Sequence, residues 1–296
     1  MVEFPVSQVE TWWWLPPLVA FVVSCLTATG GLSGAFLMLP FQISILGFTG
    51  PGASPTNLFF NVVGIPAGVY QYHRENRMLW PLAWAIVLGT VPGMAMGALV
   101  RVFVLPDPAT FKPFAGLVLL SIGGRLARDV LRSEKLKKSG LTDAFRVAAA
   151  RLSASIVSFK FDGEDYSVST PKVVLLSFAV GIAGGAYGIG GGAVIAPFLV
   201  SVWGLPVYTV AGAALFSTFI GSVFGVVAYW LIDIFRLAPN VTAAPDLFLG
   251  LSLGIGGAAG MYLGARLQRF LPARLIKALL TMFLLFVAAR YIAALF

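Results

Sequence analysis

Tyr187-Gly188-Ile189-Gly190-Gly191-Gly192-Ala193-Val194-Ile195-Ala196-Pro197 is a glycine-rich break inside a long apolar segment. A weaker version lies upstream: Gly30-Gly31-Leu32-Ser33-Gly34-Ala35-Phe36-Leu37-Met38-Leu39-Pro40. Gly31, Gly34 and Pro40 fall on Gly188, Gly191 and Pro197 at a constant offset of 157 (188 − 31). Glycine and proline interrupt helices. At membrane depth such backbone is tolerated only where protein or a water-filled cavity satisfies its polar groups. A matched pair of breaks in two halves of a chain is a pointer to a transporter's binding site.

Outward from the breaks, the match continues. At the same offset Phe41, Ser44, Gly47, Leu58, Phe59, Gly64, Gly68 and Tyr72 meet Phe198, Ser201, Gly204, Leu215, Phe216, Gly221, Gly225 and Tyr229. At an offset of 167 (256 − 89), Gly89, Gly93, Met94, Gly97 and Ala98 meet Gly256, Gly260, Met261, Gly264 and Ala265. Lys112, Leu119, Leu120 and Arg125 then meet Lys277, Leu284, Leu285 and Arg290. Glycines alone coincide easily in a Gly-rich chain; an ordered series across four segments reads as a duplication.

The 296 residues are 58% hydrophobic and 11% charged, with a mean hydropathy of +0.91. Soluble domains are about 45–50% apolar and about 25% charged, so this is a polytopic membrane protein. The net charge of +8 sits in loops and segment ends. That is orientation by the positive-inside rule rather than nucleic-acid binding, since no basic run is interleaved with exposed aromatics. The single cysteine, Cys25, excludes an internal disulfide and reads as a packing residue; with one histidine, His73, there is no ligand cluster for a metal. No cofactor is expected. The N-terminus has only Glu3 and Glu10 as charged side chains, unlike a cleaved signal peptide. Trp12, Trp13 and Trp14 read as an interfacial anchor.

Apolar segments run at 15–47, 55–72, 80–104, 112–131, 172–204, 206–232, 246–265 and 276–296. A span needs about 20 residues, so 15–47 and 172–204 are each too long for one simple crossing and read as hairpins folded at their glycines. The organisation expected is a tail (1–14), repeat 1 (15–131), a linker (132–171) and repeat 2 (172–296). The linker holds Arg132, Lys135, Lys137, Lys138, Arg146, Arg151 and Lys160, which puts it in the cytoplasm. The basic turn with Arg266, Arg269, Arg274 and Lys277 also falls inside only if 172–204 is a hairpin. The fold class is therefore all-α: two inverted repeats, each a glycine-broken hairpin plus three transmembrane helices, with both termini outside. Within the linker, 141–151 reads as a short amphipathic helix, and Ser155–Phe161 with Tyr166–Ser169 as a β-hairpin. It is either a plain connector or a small regulatory or partner-binding element.

A helix that starts in mid-membrane presents unpaired N–H groups and the positive end of its dipole, and glycines let an anion approach. The candidate substrate residues are Gly31, Ser33, Gly34, Gly188, Gly190, Gly191 and Gly192 at the breaks, and Tyr187 at the mouth of the second. Tight helix packing through small residues is the alternative. Asn57 and Asn61, four apart, share a helix face; Ser217 and Thr218 lie at or beside the matching positions. They are read as donors to an oxyanion, against plain helix–helix hydrogen bonding. Arg125 and Arg290 occupy equivalent places and read as anion-attracting or gating groups, against snorkelling to the interface. No Asp or Glu sits centrally in a span, so no carboxylate proton relay is visible.

The Gly-x-Gly-Gly-Gly run at 188–192 before Pro197, its weaker copy before Pro40 and the duplication resemble the TauE/SafE sulfite exporter family. The resemblance covers about 15–130 and 172–296. It implies a bacterial inner-membrane permease moving sulfite, organosulfonates or related sulfur anions, usually outward, with the glycine runs as its motifs. Ser33 and Ala35 depart from the fuller motif, so the halves contribute unequally. The expectation is a secondary transporter working by alternating access, not an enzyme, for which Cys25 and His73 are poor material. A channel-like conduit and a different small anion are the alternatives. The partners expected are the substrate anion and the bilayer, not nucleic acid; a homodimer stays open.

Overall fold

A computed structural model describes residues 1–29, 33–74, 78–131, 148–161, 163–239, 241–267 and 273–293. Eleven α-helices in these residues carry the fold. The first half contains α1 (Leu15–Thr29), α2 (Ala35–Ser44), α3 (Ala53–Gly64), α4 (Pro66–Arg74), α5 (Trp80–Leu99, continued by a π-helical turn Val100–Val104) and α6 (Pro108–Leu131). The second half contains α7 (Thr170–Tyr187), α8 (Gly192–Trp203), α9 (Val207–Ile234), α10 (Leu247–Leu267) and α11 (Ala273–Ala293). Among the described residues, four helical stretches are long and apolar enough to cross a membrane: Trp80–Val104, Thr170–Tyr187, Thr209–Ile234 and Leu247–Gly264. Shorter apolar helices run over Leu15–Ala28, Ala35–Ser44 and Ala278–Ala293.

Both long first segments are divided at their glycines, between α1 and α2 and between α7 and α8. The segment expected as one crossing at 55–72 is instead two helices, α3 and α4. Pro66 explains the division: it has no N–H to continue the ladder and its ring crowds the preceding turn. Val223 stands at the matching position, and α9 runs on unbroken for 28 residues.

Glycine sets how the helices pack. Cβ atoms added at Gly89, Gly93 and Gly97 of α5 would strike the carbonyl oxygens of Val174, Phe178 and Ile182 on α7. Cβ atoms at Gly256, Gly260 and Gly264 of α10 would strike those of Pro17, Phe21 and Cys25 on α1. Each second set lies at its repeat offset from the first, so α5 on α7 and α10 on α1 share one register. Gly64 against Met261 pairs in the same way with Gly221 against Met94, and Gly68 against Leu215 with Gly225 against Leu58. Backbone contact this close is how helices associate where lipid removes the usual hydrophobic drive. Gly93→Leu is therefore expected to pry α5 from α7 and lower stability by about 1–3 kcal/mol. The melting temperature of purified protein in detergent measures this, and an unchanged value would contradict the packing.

Two small sheets depart from or add to the expected architecture. The tail folds as a hairpin, β1 (Val2–Phe4) on β2 (Val9–Thr11). Its turn is held by Ser7, whose N–H and Oγ donate to Asp246 Oδ2 at 2.9 and 2.8 Å. In the linker, β3 (Ala148–Leu152), β4 (Ile156–Phe161) and β5 (Glu164–Ser169) form one antiparallel sheet. Residues 148–151 of the amphipathic helix expected at 141–151 are thus strand; 141–147 lie outside the described residues. Pairing with β4 wins over helix propensity because Val157, Phe159, Phe161 and Val168 bury one face of the sheet.

Candidate functional site

The second break is a left-handed turn that only glycine makes cheaply. Gly188, Gly190 and Gly191 have φ of 93°, 80° and 80°. The N–H groups of Gly188 and Ile189 both return to the Gly184 carbonyl, closing α7. The Gly192 N–H reaches back to the Gly190 carbonyl at 3.0 Å, a tight γ-turn centred on Gly191.

Such a break exposes two opposite polarities: the last carbonyls of α7 and the first N–H groups leading into α8. The carbonyls are covered by side chains from α3 and α9. Tyr229 Oη donates to Gly185 O at 2.9 Å, and Ser54 Oγ to Ala186 O at 2.9 Å. Asn57 Nδ2 donates to Gly188 O at 2.9 Å, and Asn61 Nδ2 to Ile189 O at 3.1 Å. The N–H side is not covered: among the described residues neither Gly190 nor Gly191 N–H has a hydrogen-bond partner. The Ile189–Gly190 peptide is trans, so its N–H points opposite to the carbonyl that Asn61 holds. The break is thus dressed as a donor site, which suits an anion and not a cation.

The same asparagines tie in the first break. Asn57 Nδ2 also donates to Ala35 O at 2.8 Å, and its Oδ1 accepts from Gln42 Nε2 at 3.2 Å. Asn61 Oδ1 accepts from Ser33 Oγ at 3.1 Å, and its Nδ2 reaches Ser222 Oγ at 3.4 Å. Pro40 has no N–H to give the Phe36 carbonyl one turn earlier in α2; Tyr187 Oη fills that gap at 2.8 Å. Asn57, Asn61 and Tyr187 are fully buried. Each therefore bridges the two breaks, and their donors, expected for an anion, are aimed at backbone carbonyls here.

The remaining sequence candidates divide. Thr218 packs against the second break: Cβ atoms on Gly190 and Gly192 would run into its Cγ2 and Oγ1. Its hydroxyl, like that of Ser217, donates to Ala214 O at 2.8 Å. Gly34 caps α2 in an ordinary helical conformation, φ −66°; Gly31 lies outside the described residues. Arg125 stacks 3.2 Å over the Phe198 ring of α8, whereas Arg290 is exposed. Sequence reading missed Gln42, Ser54, Thr90, Ser222 and Arg101. Gln42 and Arg101 were visible as polar residues inside apolar segments; the others are common in membrane helices and carry no such signal. No group of three or more His, Cys, Asp or Glu is placed to hold a metal among the described residues.

The sulfite exporter TauE/SafE family model matches residues 17–291. The chain belongs to the TauE/SafE sulfite exporter family. Neither the curated proteins nor the solved structures contain a match. Membership makes this TauE/SafE protein a multi-pass membrane transporter of sulfur anions and not an enzyme. A break that presents N–H groups and hides its carbonyls is in keeping with that class of cargo.

Proposed function

We propose that this protein is a secondary transporter that exports sulfite or an organosulfonate across the bacterial inner membrane by alternating access. The observation that carries this reading is the one-sided dressing of the second break. Four side chains take the carbonyls of Gly185, Ala186, Gly188 and Ile189, while among the described residues the Gly190 and Gly191 N–H groups have no hydrogen-bond partner. A tetrahedral or pyramidal oxyanion takes N–H donors at a helix start. Gly188, Gly190, Gly191 and Gly192 form its floor. Ser33 and Gly34 of the first break complete it, with Thr218 and Ser217 alongside and Asn57, Asn61 and Tyr187 bracing both breaks.

The shared glycine registers of α5 on α7 and α10 on α1 support two copies of one unit related by a twofold exchange. The loop charges support copies inverted across the membrane, with the linker inside and both termini outside. In that frame the buried breaks meet at mid-depth and the halves rock around them. Arg125 and Arg290 stand near opposite faces, placed to draw anions to each entrance. Purified protein titrated with sulfite, sulfate, thiosulfate, sulfoacetate and taurine tests the cargo. Saturable binding of sulfite or a sulfonate is expected; binding of none of the five would sink the assignment. The orientation has its own check. A cysteine at Thr110 should label from outside and one at Gln268 from inside; labelling of both from one side excludes inversion.

A further inference from the structure

Arg101 is the largest fully buried side chain among the described residues, and the site as read so far gives it no role. It lies in the π-helical turn Val100–Val104 that ends α5. Such turns mark functional positions more often than chance. Its Nε donates to Ser54 Oγ at 3.3 Å; its Nη1 donates to the Leu105 and Pro106 carbonyls. Its guanidinium carbon sits 3.9 Å over the Phe111 ring. Its Nη2, buried, has no hydrogen-bond partner. Among the described residues no carboxylate lies within ion-pair distance. Asp107, the near acid in sequence, is exposed to solvent.

A buried cation with no counter-charge is costly inside a membrane protein. The carbonyl end of α7 offsets it in part, since a helix terminus carries about half a charge. Asp107, exposed and not within ion-pair distance, adds only a solvent-screened attraction. Arg101 also lies near the glycine turn, on the side where Ser54 caps a carbonyl. Ser54, which its Nε touches, donates its hydroxyl to Ala186 O. A Cβ on Gly188 would meet Ser54 O at 2.6 Å. One residue, Ser54, thus links the Arg101 guanidinium to the glycine turn. A planar guanidinium matches two oxygens of a sulfite or sulfonate group and stays charged near neutral pH.

We infer that Arg101 is a substrate-binding residue: the fixed positive charge that the transported oxyanion neutralises as it passes between the glycine turn and the loop at 105–107. This rests on the reading of the chain as an anion transporter. The experiment is thermal unfolding of purified wild-type and Arg101→Gln protein in detergent against increasing sulfite, sulfate, thiosulfate and chloride. Sulfite flux in liposomes is measured in parallel. Wild type should be stabilised by an oxyanion, and Arg101→Gln should need roughly ten- to hundredfold more for the same shift. Without anion the variant should melt no lower than wild type, because it no longer buries a lone charge; a purely structural arginine would make it melt lower. Should Arg101→Gln fail to fold, Arg101→Lys keeps the charge and loses the fork. It should fold and retain a weakened anion response. Equal anion response and equal flux in variant and wild type overturn the role of Arg101 while leaving the transport reading intact. Absence of any anion response in wild type overturns it as well. A response that depends on Arg101 without sulfite flux upholds the binding role and counts against sulfite transport.

Discussion

Asn57→Leu is expected to abolish transport and to lower stability more than any other single change at the breaks. The Asn57 amide holds three groups at once: the carbonyls of Ala35 and Gly188 and the side-chain amide of Gln42. Leucine has similar bulk and supplies none of these bonds. Each buried polar group left without a partner costs about 1–3 kcal/mol, so three place the loss at about 3–9 kcal/mol. Functionally the change uncovers a carbonyl at each break, and an uncovered carbonyl repels the anion that the neighbouring N–H groups attract. Asn57→Ser, which keeps one donor, should lie between. Denaturant unfolding and sulfite flux on the same preparations measure both effects; wild-type stability and flux in Asn57→Leu would contradict the bridging role.

Gly191→Leu should act differently, removing transport with a smaller loss of stability. The φ of 80° and ψ of −38° at Gly191 are costly for any residue with a Cβ, on the order of 1–3 kcal/mol. Space at the Cβ itself is adequate, since the nearest atom, Thr90 Cγ2, is 3.4 Å away. The helices therefore still pack and the chain still inserts. The rest of the leucine side chain then fills the space at the turn beside Thr90 and Val180. Gly192→Ala is the contrasting case, because its Cβ would collide with Thr218 Oγ1 and the Ala214 carbonyl. It should disturb the α8–α9 packing first and transport in consequence.

The breaks were legible because glycine and proline have local backbone consequences that no tertiary context cancels. The reading of a repeat rests on residues with no other reason to match, such as Phe41 with Phe198, keeping one offset. The division of α3 from α4 was written in Pro66, yet an apolar run through 55–72 masks it when hydropathy alone is read. Asn57 and Asn61 were recognisable as a polar helix face at the right depth, but not for what they touch. Hydrogen-bond direction depends on which carbonyls three-dimensional packing brings near, and sequence spacing carries no such information. The strand at 148–152 is of the same kind: Ala-Ala-Ala-Arg-Leu favours helix locally, and pairing with β4 overrides it. Arg101 was in plain view as the one cation within 80–104. Its burial and its unpartnered nitrogen come only from the fold around it.

The central claim is that the two breaks form one anion site that opens alternately to each face. Sulfite counterflow in proteoliposomes tests it most directly. Vesicles loaded with unlabelled sulfite should accumulate labelled sulfite transiently, at a rate that saturates with concentration, and vesicles carrying Gly191→Leu should stay at the protein-free background. A flux linear in sulfite with no counterflow, or a Gly191→Leu rate equal to wild type, would contradict the account.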